Sequence, residues 1–579
     1  MNDIRRTILW VVFGFSMVLL WDQWQVHTGH KATFFPGPSQ IGSAAPKAAA
    51  SDAAGVPSAV PVPSTVAAPV AGAQAVPGTS APAAPAAATA SAPAVPRERV
   101  VVTTDVLKLT LDTEGGTLLQ TEFLQHVDMV DKKRNFVLLD DSKDRVYVAQ
   151  TGLIAGAAGG SLPTHKTMMT LLPGERQLKE GSKELVIRFE SPEVGGVKLV
   201  KTYTLTRGAY AVKVKHEVVN VGTVAVAPQL YLQLVRDGNK PSGESSFYST
   251  FTGPAVYTEA KKYQKVEFSD IEKNKVDIEK NASNGYIAMV QHYFVSAWLL
   301  PAGVQRDLFM RKVDTNLYAV GMIVALGNLE PGGSKALDAS FFAGPQEEKV
   351  LEALSPGLEL VKDYGWLTIL AKPLYWLLDR LEGFIGNWGW SIVALVLLLK
   401  IAFYWLNAKA YSSMAKMKAI NPKVMEMRER LKDKPQQMQQ EMMRIYREEK
   451  VNPMGGCFPI MVQIPVFIAL YWVLLSSVEM RNAPWVMWIH DLSSPDPYYI
   501  LPVVMTLTTM LQTALNPAPP DPMQAKLMWF MPLAFSVMFF FFPSGLVLYW
   551  ITNNILSIAQ QWIINTRMGV PPQFNLPKF

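Results

Sequence analysis

The chain has 579 residues, of which 49% are hydrophobic, and its mean hydropathy is +0.13. Both values are high for a soluble protein of this length. A single cysteine, Cys457, excludes an internal disulfide and a zinc site built from cysteines. The net charge of +6 is small, so the position of the basic residues relative to the apolar runs is more informative than their number.

The beginning of the chain predicts a membrane anchor at residues 1–26, followed by a linker at residues 27–99. Arg5 and Arg6 precede an apolar core at residues 8–21, and no small-residue cleavage site follows this core. We therefore expect an uncleaved anchor with a cytoplasmic N-terminus. Most of the linker consists of Ala, Pro, Val, Gly and Ser with almost no charge. We expect it to be disordered, because such a composition buries too little apolar surface to offset the ordering entropy.

Residues 100–360 predict a domain of antiparallel β-sheet in two packed layers. Between residues 212 and 218 the apolar face carries Val212, Val214, His216 and Val218, and charged residues alternate with them. Arg207-Gly208 forms the turn to a preceding run of the same kind. This alternation is typical of a half-buried sheet. No second His, Cys or carboxylate cluster stands near His216, so we favour a place on a sheet face over a role as metal ligand.

Residues 361–383 predict an amphipathic helix. Leucines recur at helical spacing, at Leu370, Leu374, Leu377, Leu378 and Leu381. Charged residues interrupt them, and the aromatic residues are Trp366, Tyr375 and Trp376. The pattern favours a helix that lies flat on the membrane surface. The alternative is a helix that packs against the β domain.

Residues 384–565 predict a membrane-embedded core with five apolar spans. The spans are residues 388–407, 457–478, 498–515, 527–542 and 546–564. Residues 408–456 contain eleven Lys or Arg and six acidic residues, whereas the loop 479–497 contains one Arg. The positive-inside rule therefore places the segment 408–456 in the cytoplasm. With the anchor there are six predicted spans, so both termini, including the tail 566–579, lie inside and the β domain lies outside.

The basic segment 408–456 itself predicts a helical hairpin. Met414, Met417, Ile420, Val424, Met427 and Leu431 line one side of its first arm. Asp433-Lys434-Pro435 ends that arm, and a second amphipathic stretch follows. We therefore expect two antiparallel helices, whose methionines form the core between them.

Lys400 is the one charged residue inside the five C-terminal spans. A lysine at mid-membrane costs about 2.5–3.5 kcal/mol on insertion scales, so its side chain faces a hydrated cavity or extends to the inner surface. Depth alone does not decide between the two. Neutral polar residues in the spans favour a cavity on the cytoplasmic half, and they are Gln463, Thr509, Gln512, Ser536, Thr552, Asn553, Ser557 and Gln560. An unpaired cation there suits transient pairing with acidic segments of a passing chain.

The sequence shows no signature of an enzyme. It has no P-loop, no dinucleotide fingerprint and no metal-ligand spacing, so we expect no catalytic residues, cofactor or metal. Pro543-Ser544-Gly545 lacks a histidine or carboxylate base in a neighbouring span and is better explained as a turn. A solute transporter would show two matching halves, which are absent. An intramembrane protease would need a nucleophile–base pair or two intramembrane aspartates, and neither is present.

Four motifs in the C-terminal part are distinctive. They are Asn452-Pro453-Met454-Gly455-Gly456-Cys457-Phe458-Pro459 with Gln463, Pro465, Phe467, Ala469, Leu470 and Tyr471 behind it, Asp496-Pro497-Tyr498-Tyr499-Ile500-Leu501-Pro502, Asp521-Pro522-Met523-Gln524, and Phe542-Pro543-Ser544-Gly545-Leu546-Val547-Leu548-Tyr549. Together they resemble the bacterial YidC membrane insertases over most of residues 365–564. The anchor, linker and β domain look like the Gram-negative form of that family.

The resemblance implies an insertase and chaperone of the bacterial inner membrane that works alone or with the Sec translocon. Its implied partners are nascent membrane proteins, the ribosome and membrane lipids, without sequence-specific binding of nucleic acid. The implied fold class is α+β, with an N-terminal anchor, a periplasmic antiparallel β-sandwich and a C-terminal five-helix transmembrane bundle that carries a cytoplasmic helical hairpin.

The resemblance also implies a hydrophilic substrate groove open to cytoplasm and lipid. Lys400 falls where such proteins carry the groove cation, usually arginine, and lysine keeps the charge but loses the bidentate fork. Trp405 and Asn407 stand where relatives commonly have Pro and Thr. The predicted groove residues are Lys400, Gln463, Pro465, Phe467, Gln512, Tyr549, Trp550, Thr552 and Asn553.

Overall fold

The computed structural model describes residues 97–155, 160–241, 250–431, 434–449, 458–516, 522–569 and 574. The predicted anchor 1–26 and almost all of the predicted linker 27–99 lie outside the described residues. The described chain divides into two compact units, the first ending at Val361 and the second beginning at Lys362.

The described residues of the first unit form two antiparallel sheets. The ten-stranded sheet has the order β1-β2-β3-β6-β11-β18-β17-β14, with β4 beside β3 and β5 beside β6. Its strands are β1 (Arg99–Thr103), β2 (Leu107–Asp112), β3 (Thr117–Val127), β4 (Asn135–Val137), β5 (Asp140–Asp141), β6 (Val146–Ala155), β11 (Pro228–Asp237), β14 (Asn281–Ala282), β17 (Arg306–Asp314) and β18 (Leu317–Ala325).

The nine-stranded sheet has the order β13-β12-β15-β16-β19-β10-β9-β8-β7. Its strands are β7 (Thr170–Leu171), β8 (Glu184–Glu190), β9 (Val197–Thr206), β10 (Ala211–Asn220), β12 (Gly253–Thr258), β13 (Lys262–Lys265), β15 (Tyr286–Val290), β16 (Phe294–Leu299) and β19 (Ser334–Pro345). Two short helices, α1 (Phe268–Glu272) and α2 (Glu348–Leu354), and a 3-10 turn at Leu358–Val361 complete the unit.

The predicted alternation of buried and exposed residues is confirmed in β9 and β10. Every second residue of β9 is buried, and in β10 the buried set includes Val212, Val214, His216 and Val218. The two strands pair antiparallel, and Gly208 between them has a φ of 72°, a left-handed conformation that favours glycine. A residue period of two therefore identified both strands and their buried faces.

The two sheets pack face to face, as hydrogen bonds from side chains of one sheet to the backbone and side chains of the other show. Tyr147 of β6 bonds to Ser296 of β16 through their hydroxyls at 2.7 Å. Trp298 of β16 donates its indole N–H to the carbonyl of Gln233 in β11 at 3.2 Å. These contacts satisfy polar groups that the apolar layer between the sheets would otherwise leave unpaired.

Lys201 and His216 lie in the same buried layer. The Lys201 ammonium donates to the carbonyl oxygens of Gly115 at 2.6 Å and Thr151 at 2.7 Å, and His216 Nε2 lies 3.0 Å from the Thr151 hydroxyl. Burial lowers the pKa of Lys201 to about 7, and burial together with the charge of Lys201 lowers the pKa of His216 to about 3. No group of three or more potential metal ligands occurs in the described part of the chain. His216 is fully buried and faces the interior of the sandwich.

The second unit is helical over the residues described. Its helices are α3 (Thr368–Ile385), α4 (Trp388–Ala402), α5 (Tyr404–Arg430), α6 (Pro435–Glu448), α7 (Phe458–Ser476), α8 (Ile500–Leu515), α9 (Pro522–Met538) and α10 (Ser544–Arg567), with 3-10 turns at Gly365–Leu367, Val478–Met480 and Phe539–Phe541. Gly386, with a φ of 72°, ends α3, and the Asn387 side chain caps α4 by accepting from the Trp390 N–H at 3.1 Å.

Helix α3 buries one face among helices of its own unit. Ala371, Tyr375 and Leu378 belong to one apolar core with residues of α4, α7, α8 and α10. The opposite face exposes three large apolar side chains, at 86% for Ile369, 58% for Trp376 and 91% for Phe384. The leucine stripe thus packs against protein, and a second apolar face remains exposed.

Helices α5 and α6 form an antiparallel pair. Lys423 of α5 bonds to Glu449, just after α6, at 2.6 Å, and Arg430 lies 4.0 Å from Glu441 of α6. Ile420, Val424 and Met427 are buried on the first arm. The pair has the helical hairpin form that the sequence pattern predicted, with α5 ending at Arg430 and α6 beginning at Pro435.

The first predicted span, 388–407, contains a break. Helix α4 ends at Ala402, and α5 continues at an angle of 68° after Phe403. Among the described residues, no single helix is long and apolar enough to cross a membrane. Only the bent pair, Trp388–Ala402 with Tyr404–Met417, has that length and composition. Three further apolar helical segments are shorter, Gln463–Ser476, Ile500–Leu515 and Lys526–Phe541. The five predicted spans stay predictions.

Candidate functional site: a polar cavity around Lys400

Lys400 points into the helical unit instead of away from it. It lies in the last turn of α4 and is 5% exposed. Its ammonium donates to the Ser557 hydroxyl of α10 at 2.7 Å, and that hydroxyl donates to the Asn553 carbonyl at 2.7 Å. Over the described ranges, no carboxylate forms an ion pair with this ammonium. The lysine is thus a buried cation held by a neutral hydroxyl.

A small cavity lies beside the Lys400 side chain and is partly open to solvent. Four helices and the break after α4 contribute to its wall. The lining residues are Val396, Leu399, Lys400, Phe403, Asn407, Gln463, Val466, Tyr549 and Asn553. The wall therefore combines an apolar part with a cation and three carboxamides, so it offers hydrogen-bond donors and acceptors beside apolar surface.

The carboxamides around the cavity are joined by long hydrogen bonds between neutral groups. Gln463 donates to the Asn553 side chain, and Asn407 donates to the Gln560 side chain, each at 3.3 Å. Gln560 in turn donates to the Lys400 carbonyl at 3.3 Å. Such bonds contribute little net free energy, since water or another polar group can replace each partner. The carboxamides of the wall can therefore exchange their hydrogen-bond partners at a low cost in free energy.

An aromatic cluster adjoins the cavity. Phe467 of α7 stacks on Tyr549 with ring centroids 5.8 Å apart and meets Trp550 edge to face at 4.7 Å. Phe539 also contacts Trp550, with ring centroids 4.8 Å apart. These rings fix α7 against α10 by directional contacts and large buried area.

Four of the nine predicted groove residues line the cavity, namely Lys400, Gln463, Tyr549 and Asn553. Phe467 and Trp550 lie in the adjoining aromatic cluster. The other three predicted residues are not part of the lining: Pro465 lies within α7, Gln512 is half-buried on α8, and Thr552 donates its hydroxyl to the Leu548 carbonyl at 2.9 Å. Helix α8 contributes no lining residue.

Asn407 and Phe403 line the cavity, although the sequence pattern did not assign them to a site. Asn407 was noted only as a departure from the resembling family. It follows Lys400 by seven residues, a spacing that places two side chains on one face of an unbroken helix, which the sequence predicted here, and that could have indicated a shared site. The break at Phe403 carries no hydropathy signal, because apolar and aromatic residues continue through Leu406.

Two family models match consecutive parts of the chain. Residues 99–377 match the YidC periplasmic domain, and residues 380–570 match the 60Kd inner membrane protein family. The membrane protein insertase YidC of Cupriavidus necator is 54% identical over 575 residues and covers 98% of both chains. That of Janthinobacterium sp. is 51% identical over 98% of this chain and 100% of its own. A solved structure of an active YidC insertase with its first transmembrane domain resolved is similar at 19% identity and a TM-score of 0.37, over 80% of this chain and 91% of that one.

The two family models and the full-length relatives define an inner-membrane protein with a periplasmic β domain and a helical C-terminal region. The chain belongs to the YidC family of membrane protein insertases, as the full-length identity to its relatives shows. The resemblance predicted from the four motifs is confirmed, and with it the insertase function. The family is one of insertases rather than enzymes, and its clients are nascent membrane proteins.

Proposed function

We propose that the cavity around Lys400 is the groove through which this insertase receives polar segments of its clients, open to the cytoplasm and to lipid. The supporting observation is the buried ammonium whose side-chain partner is a neutral hydroxyl. A lysine in such a place has exchanged water for a weak partner, so an anionic group that enters the cavity gains a charge-assisted hydrogen bond. The groove thus binds acidic client segments transiently.

The groove lowers the barrier to insertion by hydrating polar client residues inside the membrane. An aspartate at the centre of a helix costs about 2.5–3.5 kcal/mol on insertion scales, and a wet cavity with a cation reduces that cost. Gln463 and Asn553 offer neutral donors and acceptors, while the aromatic cluster of Phe467, Tyr549 and Trp550 offers apolar contact. The gain is kinetic, and client hydrophobicity supplies the driving force.

Pro465, Gln512 and Thr552 complete the proposed groove as contacts outside the resting cavity. Pro465 lies between Gln463 and Phe467 on α7. Helix α8 is joined to α10 where Asn554 donates to the hydroxyls of Thr508 at 3.2 Å and Thr509 at 2.9 Å, one turn from Gln512. Client entry that separates α8 from α10 would add Gln512 and Thr552 to the wall.

Photocrosslinking of a stalled client tests the groove. A photoreactive phenylalanine analogue at Phe467 or Tyr549 is expected to crosslink the client, because both rings border the proposed path. The matched control is Leu507 on α8, which is 63% exposed and lies outside the cavity lining. Crosslinks from Leu507 as strong as those from Phe467 would show that clients do not follow the cavity.

We propose that the chain spans the inner membrane six times, through the anchor 1–26 and the five spans of the bundle at residues 384–565, with both termini in the cytoplasm. The basic surplus of residues 408–456 supports this orientation. The β domain at residues 100–360 then lies in the periplasm. The segment 361–383, with α3, lies along the periplasmic surface of the inner membrane. Its exposed Ile369, Trp376 and Phe384 support this position.

Cysteine labelling tests this orientation. In a Cys457→Ser background, Gln437→Cys is expected to be protected from an impermeant thiol reagent in intact cells, and Asn482→Cys is expected to react. Both positions are exposed, on α6 and in the loop after α7, so accessibility in the folded protein does not separate them. Permeabilised cells supply the control in which both react. The reverse pattern would overturn the proposed arrangement.

We further propose three partners besides the clients. The hairpin α5–α6 and the tail 566–579 contact the ribosome, since eleven basic residues in segment 408–456 suit the phosphate backbone of RNA without reading its sequence. Lipids contact the exposed apolar residues of α3, α8 and α9. The Sec translocon, which the family resemblance implies, shares clients that the groove alone does not insert.

A further inference from the structure

A buried ion pair joins the segment before α3 to the turn after α7. Both carboxylate oxygens of Glu479, in the 3-10 turn Val478–Met480, lie 3.2 Å from the ammonium of Lys362. Tyr375, in the middle of α3, donates its hydroxyl to the same carboxylate at 2.5 Å. The Lys362 ammonium also lies 3.8 Å from the centroid of the Tyr375 ring. The Glu479 carboxylate therefore binds two residues of this segment, Lys362 before α3 and Tyr375 within it.

Stability alone does not account for this pair. The Lys362 side chain is 0% exposed and that of Glu479 is 17% exposed, so both charges have left water. The desolvation penalty of such a pair often equals or exceeds its Coulomb attraction, and apolar residues of the same volume are frequently as stable. What a buried pair supplies beyond apolar contact is orientation, because its hydrogen bonds are directional and fix where the two charged groups meet.

The position of α3 bears on the wall of the cavity. Ala371, Tyr375 and Leu378 share one apolar core with Val396 of α4 and Tyr549 of α10, both of which line the cavity. Leu470 of α7 belongs to the same core, and Val466, one turn earlier on α7, lines the cavity. A close-packed core transmits displacement instead of absorbing it. A shift of α3 would therefore alter the cavity that clients enter.

We propose that Glu479 is a positioning residue for insertion, which holds α3 in one orientation through Lys362 and Tyr375. The pair sets which face of α3 packs on the helices and which face, with Ile369, Trp376 and Phe384, stays exposed. Loss of the pair leaves α3 attached by apolar contacts that permit rotation and sliding, because such contacts are not directional. The cavity wall then loses its fixed shape.

The experiment uses the full-length chain in lipid nanodiscs, with spin labels at Phe384→Cys on α3 and His490→Cys in the loop after α7, in a Cys457→Ser background. Both positions are exposed. The variant K362M/Y375F/E479M removes both charges and the hydroxyl at similar volume. It is expected to fold, to broaden the distance distribution between the labels, and to reduce client insertion in proteoliposomes several-fold.

Two further variants separate positioning from simple stability. The charge swap K362E/E479K re-forms the pair and is expected to restore both the narrow distribution and insertion. The matched control K215M/E217M removes the exposed pair at 2.8 Å on β10 and is expected to change neither. A narrow distribution in the triple variant would overturn the proposal. So would a broad distribution with undiminished insertion, or a swap that restores neither measurement.

Discussion

Replacing Lys400 with glutamate is expected to reduce the insertion of clients with acidic translocated tails at least about tenfold, which corresponds to 1.4 kcal/mol. The substitution turns attraction for an acidic segment into repulsion in the same cavity. Two unit charges 4 Å apart interact by about 4 kcal/mol at an effective dielectric constant of 20, and a wet cavity reduces this value. The Ser557 hydroxyl, 2.7 Å from the ammonium, does not neutralise an added carboxylate.

The effect is expected to be graded by charge and by client. Lys400→Arg keeps the cation and adds the bidentate geometry of the guanidinium, so it is expected to function. Lys400→Ala removes the attraction without adding repulsion, so it is expected to fall between the other two. Clients hydrophobic enough to insert without help are expected to be spared by all three substitutions.

Paired clients that differ only in tail charge supply the measurement, with the three variants expressed to equal levels. The ratio of insertion for the acidic and neutral tails reports the role of the charge, and each client serves as control for the other. If all three variants treat both clients alike, the Lys400 side chain extends to the inner membrane surface and is not a groove cation. Its inward hydrogen bond to Ser557 argues for the graded result.

A proline at Met427 is expected to disrupt the first arm of the hairpin and to abolish most insertion. Met427 is buried near the end of α5, where a backbone N–H donates to the carbonyl four residues earlier. Proline removes one helical hydrogen bond, and its ring clashes with the carbonyl four residues earlier, which costs about 3 kcal/mol or more. The loss of the buried methionine side chain adds to this cost.

Met427→Leu is the matched control, because it preserves the helix and nearly preserves volume. It is expected to insert clients normally, whereas Met427→Pro is expected to be cleaved faster by protease within α5 and α6. Removing one member of the exposed Lys423–Glu449 pair is expected to matter little, since exposed ion pairs contribute little stability. Full insertion by Met427→Pro would show that the hairpin is a passive connection.

The sequence by itself determined the features that repeat along the chain. Period-two alternation identified β9 and β10 and their buried faces, helical spacing identified α3, and Asp433-Lys434-Pro435 marked the break between α5 and α6. The four motifs identified the family, and the isolated charge in an apolar run identified Lys400. Each of these signals lies within a short window, where backbone geometry alone relates neighbouring residues.

Only the tertiary structure decided which distant residues meet. Strand β10 pairs with β19, whose residues follow more than a hundred positions later, and Lys400 meets Ser557 of α10. Asn407 joined the cavity, whereas Gln512 and Thr552 did not line it. Glu479 and Lys362 are 117 residues apart and carry no joint pattern, so sequence periodicity could not pair them. Such contacts arise from packing of the whole core, which selects one partner among many chemically equivalent ones.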